Sequence, residues 1–121
     1  MRAPEWLTAQ PVAHRGLHDL SKGIVENTPS SCAAATRAGY GIEVDLQLTA
    51  DGEAMVHHDD GLGRLTDGQG LLRDMTAAQL KAVPFRATND RMMTLGELCD
   101  LVSGRVPLVA TSRPSAGPPT V

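Results

Sequence analysis

The residues from 42 to 48, IEVDLQL, alternate strictly between apolar and polar side chains. Because successive side chains of a β-strand point to opposite faces, this order predicts a strand with one apolar face. The other face then carries Glu43, Asp45 and Gln47. Two adjacent carboxylates repel each other unless a cation lies between them, and hard cations such as Mg²⁺ or Ca²⁺ prefer carboxylate oxygens. The alternative is an amphipathic strand with a solvated polar face, and this stretch alone does not decide between the two.

Start and stop signals predict three helices. Thr28 is a good N-cap, and Pro29 suits the first helical position. Gly39 suits a left-handed stop after Ala38, so the first helix should cover residues 29–38. Capping boxes begin the other two helices, at residues 76–79 and 94–97.

Four strand candidates alternate with these helices, at residues 11–14, 40–48, 53–58 and 105–109. The Asp51-Gly52 pair is a turn signal between the second and third candidates, and the glycine-rich residues 60–75 indicate a loop. Alternation of strands with helices is typical of βα units on a parallel sheet. A β/α barrel and an open doubly wound sheet both fit this order.

Polar side chains also stand where two other strand candidates end. His14 and Arg15 follow the first candidate, and His58 and Asp59 close the third, with His57 on the opposite face. Barrels of β/α units place their chemistry at the carboxyl ends of the strands. Two histidines, an arginine and two carboxylates form a set suited to phosphoester hydrolysis, with a cation site, a phosphate clamp, an acid and a base.

Four stretches in this order resemble the glycerophosphodiester phosphodiesterase family: AHRG at 13–16, ENTP at 26–29, EVDLQLTADGEAMVHHD at 43–59 and LGRLT at 62–66. The resemblance implies a β/α (TIM) barrel of the phospholipase C-like phosphodiesterase type, of which this chain supplies about the first half. It implies metal-dependent cleavage of a glycerophosphodiester to glycerol 3-phosphate and an alcohol, with Ca²⁺ or Mg²⁺ as cofactor.

The roles that the resemblance implies fall on eight positions of this sequence. The general acid and base are His14 and His58, and the phosphate-binding residue is Arg15. The metal ligands are Glu43, Asp45 and Glu26, and the supporting residues are Asn27 and Asp59.

The resemblance breaks near the end of the chain. The family continues its next strand with an apolar-Glu-apolar-Lys motif, but Thr111 and Arg113 stand where the glutamate and lysine are expected. We therefore assign residues 1–109 to the phosphodiesterase domain and predict that 110–121 form an irregular tail outside the fold. Because a full barrel takes ~250 residues, we expect a truncated or frame-shifted product. The alternatives are a catalytically inactive fragment and a phosphodiester-binding module.

Charge and hydrophobicity argue against nucleic acid and membrane as binding partners. The formal net charge is −3, with no basic run that would indicate nucleic-acid binding. No apolar run approaches the ~20 residues of a spanning helix, and the N-terminus has no apolar leader, so we expect a cytoplasmic protein without stable membrane insertion. Cys32 and Cys99 are predicted to be buried thiols in a reducing compartment. The oligomeric state is not indicated.

Overall fold

A computed structural model of the chain describes residues 11–112. Its strands are β1 (Val12–His14), β2 (Gly41–Leu48), β3 (Ala54–Val56) and β4 (Leu108–Ser112). Its α-helices are α1 (Pro29–Ala38), α2 (Ala77–Lys81) and α3 (Leu95–Val102). Short 3-10 helices lie at Leu20–Lys22 and Leu72–Asp74.

The sheet is built around β2. Strands β1 and β4 pair with β2 in parallel, whereas β3 pairs with it antiparallel. Ile42 pairs with both β1 and β4, and Leu46 pairs with both β3 and β4. Since a strand has two edges, β1 and β3 share one edge of β2, one after the other, and β4 occupies the other edge.

The prediction of parallel βα units is wrong for β3. A tight turn at Asp51-Gly52 joins β2 to β3, with Gly52 at φ +82° and its N–H donating to the carbonyl of Thr49. So short a connection returns the chain alongside its own strand, which forces antiparallel pairing. The parallel arrangement holds for β1, β2 and β4, whose connections contain helices.

Helix α1 has the predicted bounds. The Thr28 side chain accepts a hydrogen bond from the backbone N–H of Ser31, and Gly39 ends the helix at φ +77°. Both predicted capping boxes are also present, at the starts of α2 and α3. Helix α3 ends at Ser103 in the left-handed conformation, one residue before Gly104.

The main core lies between the apolar face of β2 and helices α1 and α3. Ile42 and Val44 are fully buried there, as the alternation predicts, whereas Leu48 at the strand end is 66% exposed. Cys32 is buried, but Cys99 is exposed, so its predicted burial is wrong. Ten buried residues form this core: Ala13, Cys32, Ala35, Ile42, Val44, Val56, Met93, Leu98, Val102 and Val106.

Strand β4 begins and ends three residues later than predicted, at Leu108 and Ser112. The side chain of Arg105 donates hydrogen bonds to the carbonyls of Leu101 and Val102, so this residue completes the end of α3 instead of starting the strand. Residues 110–112, assigned above to an irregular tail, are therefore strand, and 113–121 lie outside the described residues. Within 11–112 no helix has the length and apolar character needed to cross a membrane.

Candidate active site

The carboxyl ends of β1 and β3 meet at the middle of β2. Strand β1 ends at His14, which pairs with Glu43, while β3 runs the opposite way and ends at Val56, which pairs with Leu46. Because the two strands share one edge of β2, the segments that leave them arrive at the same stretch, residues 43–46. The antiparallel direction of β3 is therefore what carries the histidines after it to the carboxylates of β2.

Arg15 is held by its backbone and points its side chain at two carboxylates. It adopts the left-handed conformation, at φ +60°, and its N–H donates to the carbonyl of Glu43 at 2.6 Å. Its Nη1 lies 3.2 Å from Oε2 of Glu26, and its Nε lies 3.5 Å from Oδ2 of Asp45. The guanidinium thus lies between the carboxylates of the loop before α1 and of β2.

Asn27 contacts Asp45 at the same oxygen as Arg15 does. It is buried, has φ +55°, and its Nδ2 donates to Oδ2 of Asp45 at 3.1 Å. Its backbone N–H donates to the carbonyl of Arg15, which ties this loop to the end of β1. Asn27, to which the resemblance gives a supporting role, thus contacts both Asp45 and Arg15, and within residues 11–112 its buried Oδ1 has no hydrogen-bond partner.

Glu43 lies beside His14 and Thr111. Oε1 of Glu43 is 3.6 Å from Nε2 of His14, an imidazole that is largely exposed. Oε2 accepts a hydrogen bond of 2.9 Å from Oγ1 of Thr111 on β4. The parallel pairing of β4 thus brings a threonine hydroxyl to the site, at the position where the resemblance implies a glutamate.

His58 and Asp59 form a hydrogen-bonded pair at the end of β3. Nδ1 of His58 lies 2.7 Å from Oδ1 of Asp59. Burial raises the pKa of Asp59, but hydrogen bonds from Arg64 and His58 outweigh it and lower the pKa to about 2. Because an ionised carboxylate only accepts hydrogen bonds, the proton in this pair belongs to Nδ1 of His58.

Arg64, to which the sequence assigned no role, connects this pair to Glu26. Its Nε and Nη2 donate to the two oxygens of Asp59 at 2.6 and 3.1 Å. Its Nη1 and Nη2 donate to the two oxygens of Glu26 at 3.1 and 2.9 Å. Burial raises the pKa of Glu26, but the hydrogen bonds and charge of Arg64, with the charge of Arg15, bring it below its ordinary value.

Gln47 also has a structural role that the sequence did not reveal. Its buried Nε2 lies 3.0, 3.1 and 2.8 Å from the carbonyl oxygens of residues 57, 58 and 59. The amide thereby fixes the backbone that carries His58. Strand alternation places Gln47 on the same face as Glu43 and Asp45, which is the only signal for it in the sequence.

His57 is buried, with 2% of its surface exposed, and its ring packs near Phe85 at 6.4 Å between centroids. Burial is the largest influence on its pKa, which is lowered to about 4, so the imidazole is neutral at pH 7. Its backbone N–H donates to the carbonyl of Asp45 at 3.0 Å and continues the β2–β3 ladder. This environment suits a structural histidine.

The three predicted metal ligands, Glu43, Asp45 and Glu26, do not form a metal site in this arrangement. Between residues 11 and 112, no group of three or more His, Cys, Asp or Glu side chains is placed to hold a metal ion. Arginine side chains take both oxygens of Glu26, Arg15 lies against Asp45, and Thr111 bonds Glu43. Carboxylate oxygens suit Ca²⁺ or Mg²⁺ chemically, but this donor set does not fit such an ion.

Comparisons with known proteins agree on one family. Residues 14–111 match the model of the Glycerophosphoryl diester phosphodiesterase family. A glycerophosphodiester phosphodiesterase of Caldanaerobacter subterraneus is 36% identical over an alignment of 101 positions, and the match covers 78% of this chain and 40% of that protein. Glycerophosphodiester phosphodiesterase 1 of Bos taurus is 40% identical over an alignment of 85 positions, and the match covers 65% of this chain and 24% of that protein.

Solved structures give the same likeness. A phosphodiesterase of Oleispira antarctica, in complex with the product sn-glycerol-3-phosphate, has a TM-score of 0.76 and 32% identity. A glycerophosphodiester phosphodiesterase of Thermotoga maritima has a TM-score of 0.71 and 32% identity. Each comparison covers 87% of this chain and 44% of the solved one, so this chain spans less than half of these relatives. The likeness confirms the prediction of an incomplete β/α barrel, seen here as an open four-stranded sheet.

Proposed function

Because the chain belongs to the glycerophosphoryl diester phosphodiesterase family, we propose that it hydrolyses glycerophosphodiesters to glycerol 3-phosphate and an alcohol. One observation carries the proposal: two histidine-bearing segments meet on one stretch of β2, with His14 beside Glu43 and His58 bonded to Asp59. The product bound to the Oleispira antarctica relative supports a glycerophosphate ester as the substrate class.

In the proposed reaction, a hydroxyl oxygen forms a bond to phosphorus and the ester bond to the leaving alcohol breaks. His58 acts as the base: with its Nδ1 proton directed at Asp59, the lone pair lies on Nε2, which takes the proton of the attacking hydroxyl. His14 gives a proton to the leaving oxygen. Arg15 offsets the negative charge of the phosphoryl oxygens. Water in the role of attacking group gives glycerol 3-phosphate directly. The neighbouring glycerol hydroxyl also fits this role, but its attack gives a cyclic phosphodiester, which water then opens to glycerol 3-phosphate.

A divalent ion, Ca²⁺ or Mg²⁺, is the cofactor that the family resemblance implies. Its chemistry would be to neutralise charge on the phosphoryl oxygens. Since the described positions of Glu43, Asp45 and Glu26 do not fit an ion, none of the steps above depends on one. The activity assay below is therefore run with Ca²⁺, with Mg²⁺ and with a chelator, so that it measures the dependence on a divalent ion.

A second candidate is a phosphodiester-binding module without turnover. Thr111 favours it, because a neutral hydroxyl on β4 occupies the position where the resemblance implies a further carboxylate, a glutamate. Such a module would use Arg15 and the neighbouring histidines to hold a phosphodiester that it leaves intact.

The test is the release of glycerol 3-phosphate from glycerophosphocholine by the 121-residue chain, measured in a coupled assay with Ca²⁺, Mg²⁺ or EDTA. We expect release that falls about 100-fold in His14→Ala, which removes the proton donor. The control His18→Ala changes an exposed loop histidine and should leave the rate unchanged. Full activity of His14→Ala contradicts the mechanism, and binding of the diester without release favours the second candidate.

A further inference from the structure

We propose that Arg64 is a positioning residue that holds Asp59 in the orientation that keeps His58 protonated on Nδ1. The proposal rests on the proposed function, in which His58 is the base, but it concerns a residue to which neither the sequence pattern nor the predicted site gave a role. It assigns to the loop after β3 the task of preparing the catalytic imidazole.

The contact between Arg64 and Asp59 restrains the carboxylate at both oxygens. Oδ2 accepts from Nε of Arg64 at 2.6 Å, while Oδ1 is shared between Nη2 of Arg64 at 3.1 Å and Nδ1 of His58 at 2.7 Å. A planar guanidinium that bonds both oxygens fixes the rotation of a carboxylate, which a single ammonium group does not do. Oδ1 is therefore kept directed at the imidazole.

The guanidinium is itself anchored on a second carboxylate. Glu26 has its side chain 10% exposed, and its two oxygens accept from Nη1 and Nη2 of Arg64. Glu26 also contacts Arg15, so its position is set by the ends of two elements, β1 and the loop before α1. Arg64 thus ties the segment after β3 to a rigid part of the site.

The backbone of Arg64 is equally well held. Arg86 donates hydrogen bonds from its guanidinium to the carbonyls of Gly63 and Arg64. The Thr66 side chain and backbone N–H both donate to the carbonyl of Leu62, which is buried in an apolar cluster with Leu72 and Leu80. The side chain of Arg64 is half exposed, yet its base is fixed, which distinguishes it from an ordinary surface arginine.

The consequence for His58 concerns its tautomer. The nitrogen that carries the proton in a neutral imidazole is set by the hydrogen bonds of the ring. If Arg64 is removed, Oδ2 of Asp59 loses its donor and the carboxylate is free to rotate towards water. The imidazole then shifts to the Nε2-protonated tautomer, which has its lone pair on Nδ1 and none on Nε2 to take the proton of the attacking hydroxyl.

The experiment is nitrogen-15 NMR of the full chain labelled at its histidines, at a pH where the imidazoles are neutral, with His58→Gln to identify the signal. We expect His58 to be predominantly Nδ1-protonated in the wild type and mainly Nε2-protonated in Arg64→Met. Arg64→Lys, which keeps the charge and offers one donor group, should fall between them. Arg91→Met, at an exposed arginine of another loop, is the matched control and should resemble the wild type.

A purely structural role is separated from the proposed one by these readouts. An unchanged tautomer in both folded Arg64 variants overturns the inference, even if thermal unfolding shows lost stability. In the active chain, kcat of Arg64→Met should fall at least about 10-fold with little change in KM, because general base catalysis is impaired and binding is not. The tautomer is readable without turnover. Full activity of His58→Ala would therefore contradict the proposed function alone, and an unchanged tautomer would contradict this inference alone.

Discussion

Replacing Gly16 by alanine should destabilise the chain more than any other glycine substitution at an equally left-handed position. Gly16 has φ +80°, and a Cβ built there would lie 2.8 Å from Cβ and 2.9 Å from the carbonyl carbon of Ser31, in the first turn of α1. Gly52 is the matched control, because it has φ +82° but, apart from its two chain neighbours, no residue between 11 and 112 has an atom within 4 Å of its Cβ position. Both substitutions introduce the same backbone strain, but only the Cβ added at Gly16 overlaps with Ser31.

The magnitude follows from those two contributions. An L-residue in the left-handed region costs about 1–2 kcal/mol, which is the effect expected for Gly52→Ala. The overlap at Gly16 involves the backbone of Ser31, which moves only together with α1, and overpacking of this kind costs about 1–3 kcal/mol more. The carbonyl of Arg15 accepts a hydrogen bond from the Ser31 hydroxyl, so the displacement also disturbs the predicted phosphate clamp.

Urea unfolding of the two variants and the wild type measures this difference. We expect the free energy of unfolding to fall in the order wild type, Gly52→Ala, Gly16→Ala, with the NMR signal of the Arg15 amide shifted in the last variant only. Equal unfolding midpoints for the two variants would refute the close approach between the end of β1 and the start of α1.

Three other predictions test separate parts of the molecule. Burial lowers the pKa of His57 from 6.5 to about 4, so the unfolded state binds more protons than the native state between these pH values. The free energy of unfolding should therefore fall by about 3 kcal/mol as the pH drops through this window. This fall should be absent in His57→Asn. Ellman's reagent should label Cys99 but not Cys32 in the native chain, because Cys32 is buried and burial raises the pKa of its thiol to about 11. Both thiols should react in urea. Equal labelling of the two thiols in the native chain would contradict the packing of α1. Thr111→Glu should place another carboxylate beside Glu43. Repulsion between the carboxylates should lower the free energy of unfolding in EDTA, and the added ligand should raise the affinity for terbium, measured by luminescence, about 10-fold or more. An unchanged terbium affinity would contradict the position of β4.

Helix bounds were predictable from the sequence because their signals are local. Thr28 caps α1 through a residue only three positions away, and Gly39 stops it through its own backbone conformation. Burial within a helix was less predictable. Helical spacing groups Cys99 with Leu98 and Val102, but α3 packs on the sheet through the other two and leaves Cys99 at the exposed edge of the stripe.

For the candidate site, the shared face and the hairpin were predictable from the sequence, but the side-chain contacts were not. Alternation along β2 indicated the shared face of Glu43 and Asp45, and the turn at 51–52 already contained the signal for the hairpin that places His58 near them. The role of Arg64 had no local signal, because its side chain is anchored on Glu26, which is 38 residues away in sequence, and its backbone carbonyl is held by Arg86, which is 22 residues away.

In the proposed site, the segments after β1 and β3 together bind one phosphate ester on β2. Titration of the nitrogen-15-labelled chain with sn-glycerol 3-phosphate tests it directly, and Arg15→Met is the companion variant. We expect amide shift changes confined to residues 14–16, 26–27, 43–45, 57–59 and 64, with affinity reduced in Arg15→Met. Shift changes at only one of these segments, or an affinity that is unchanged in Arg15→Met, would contradict the claim.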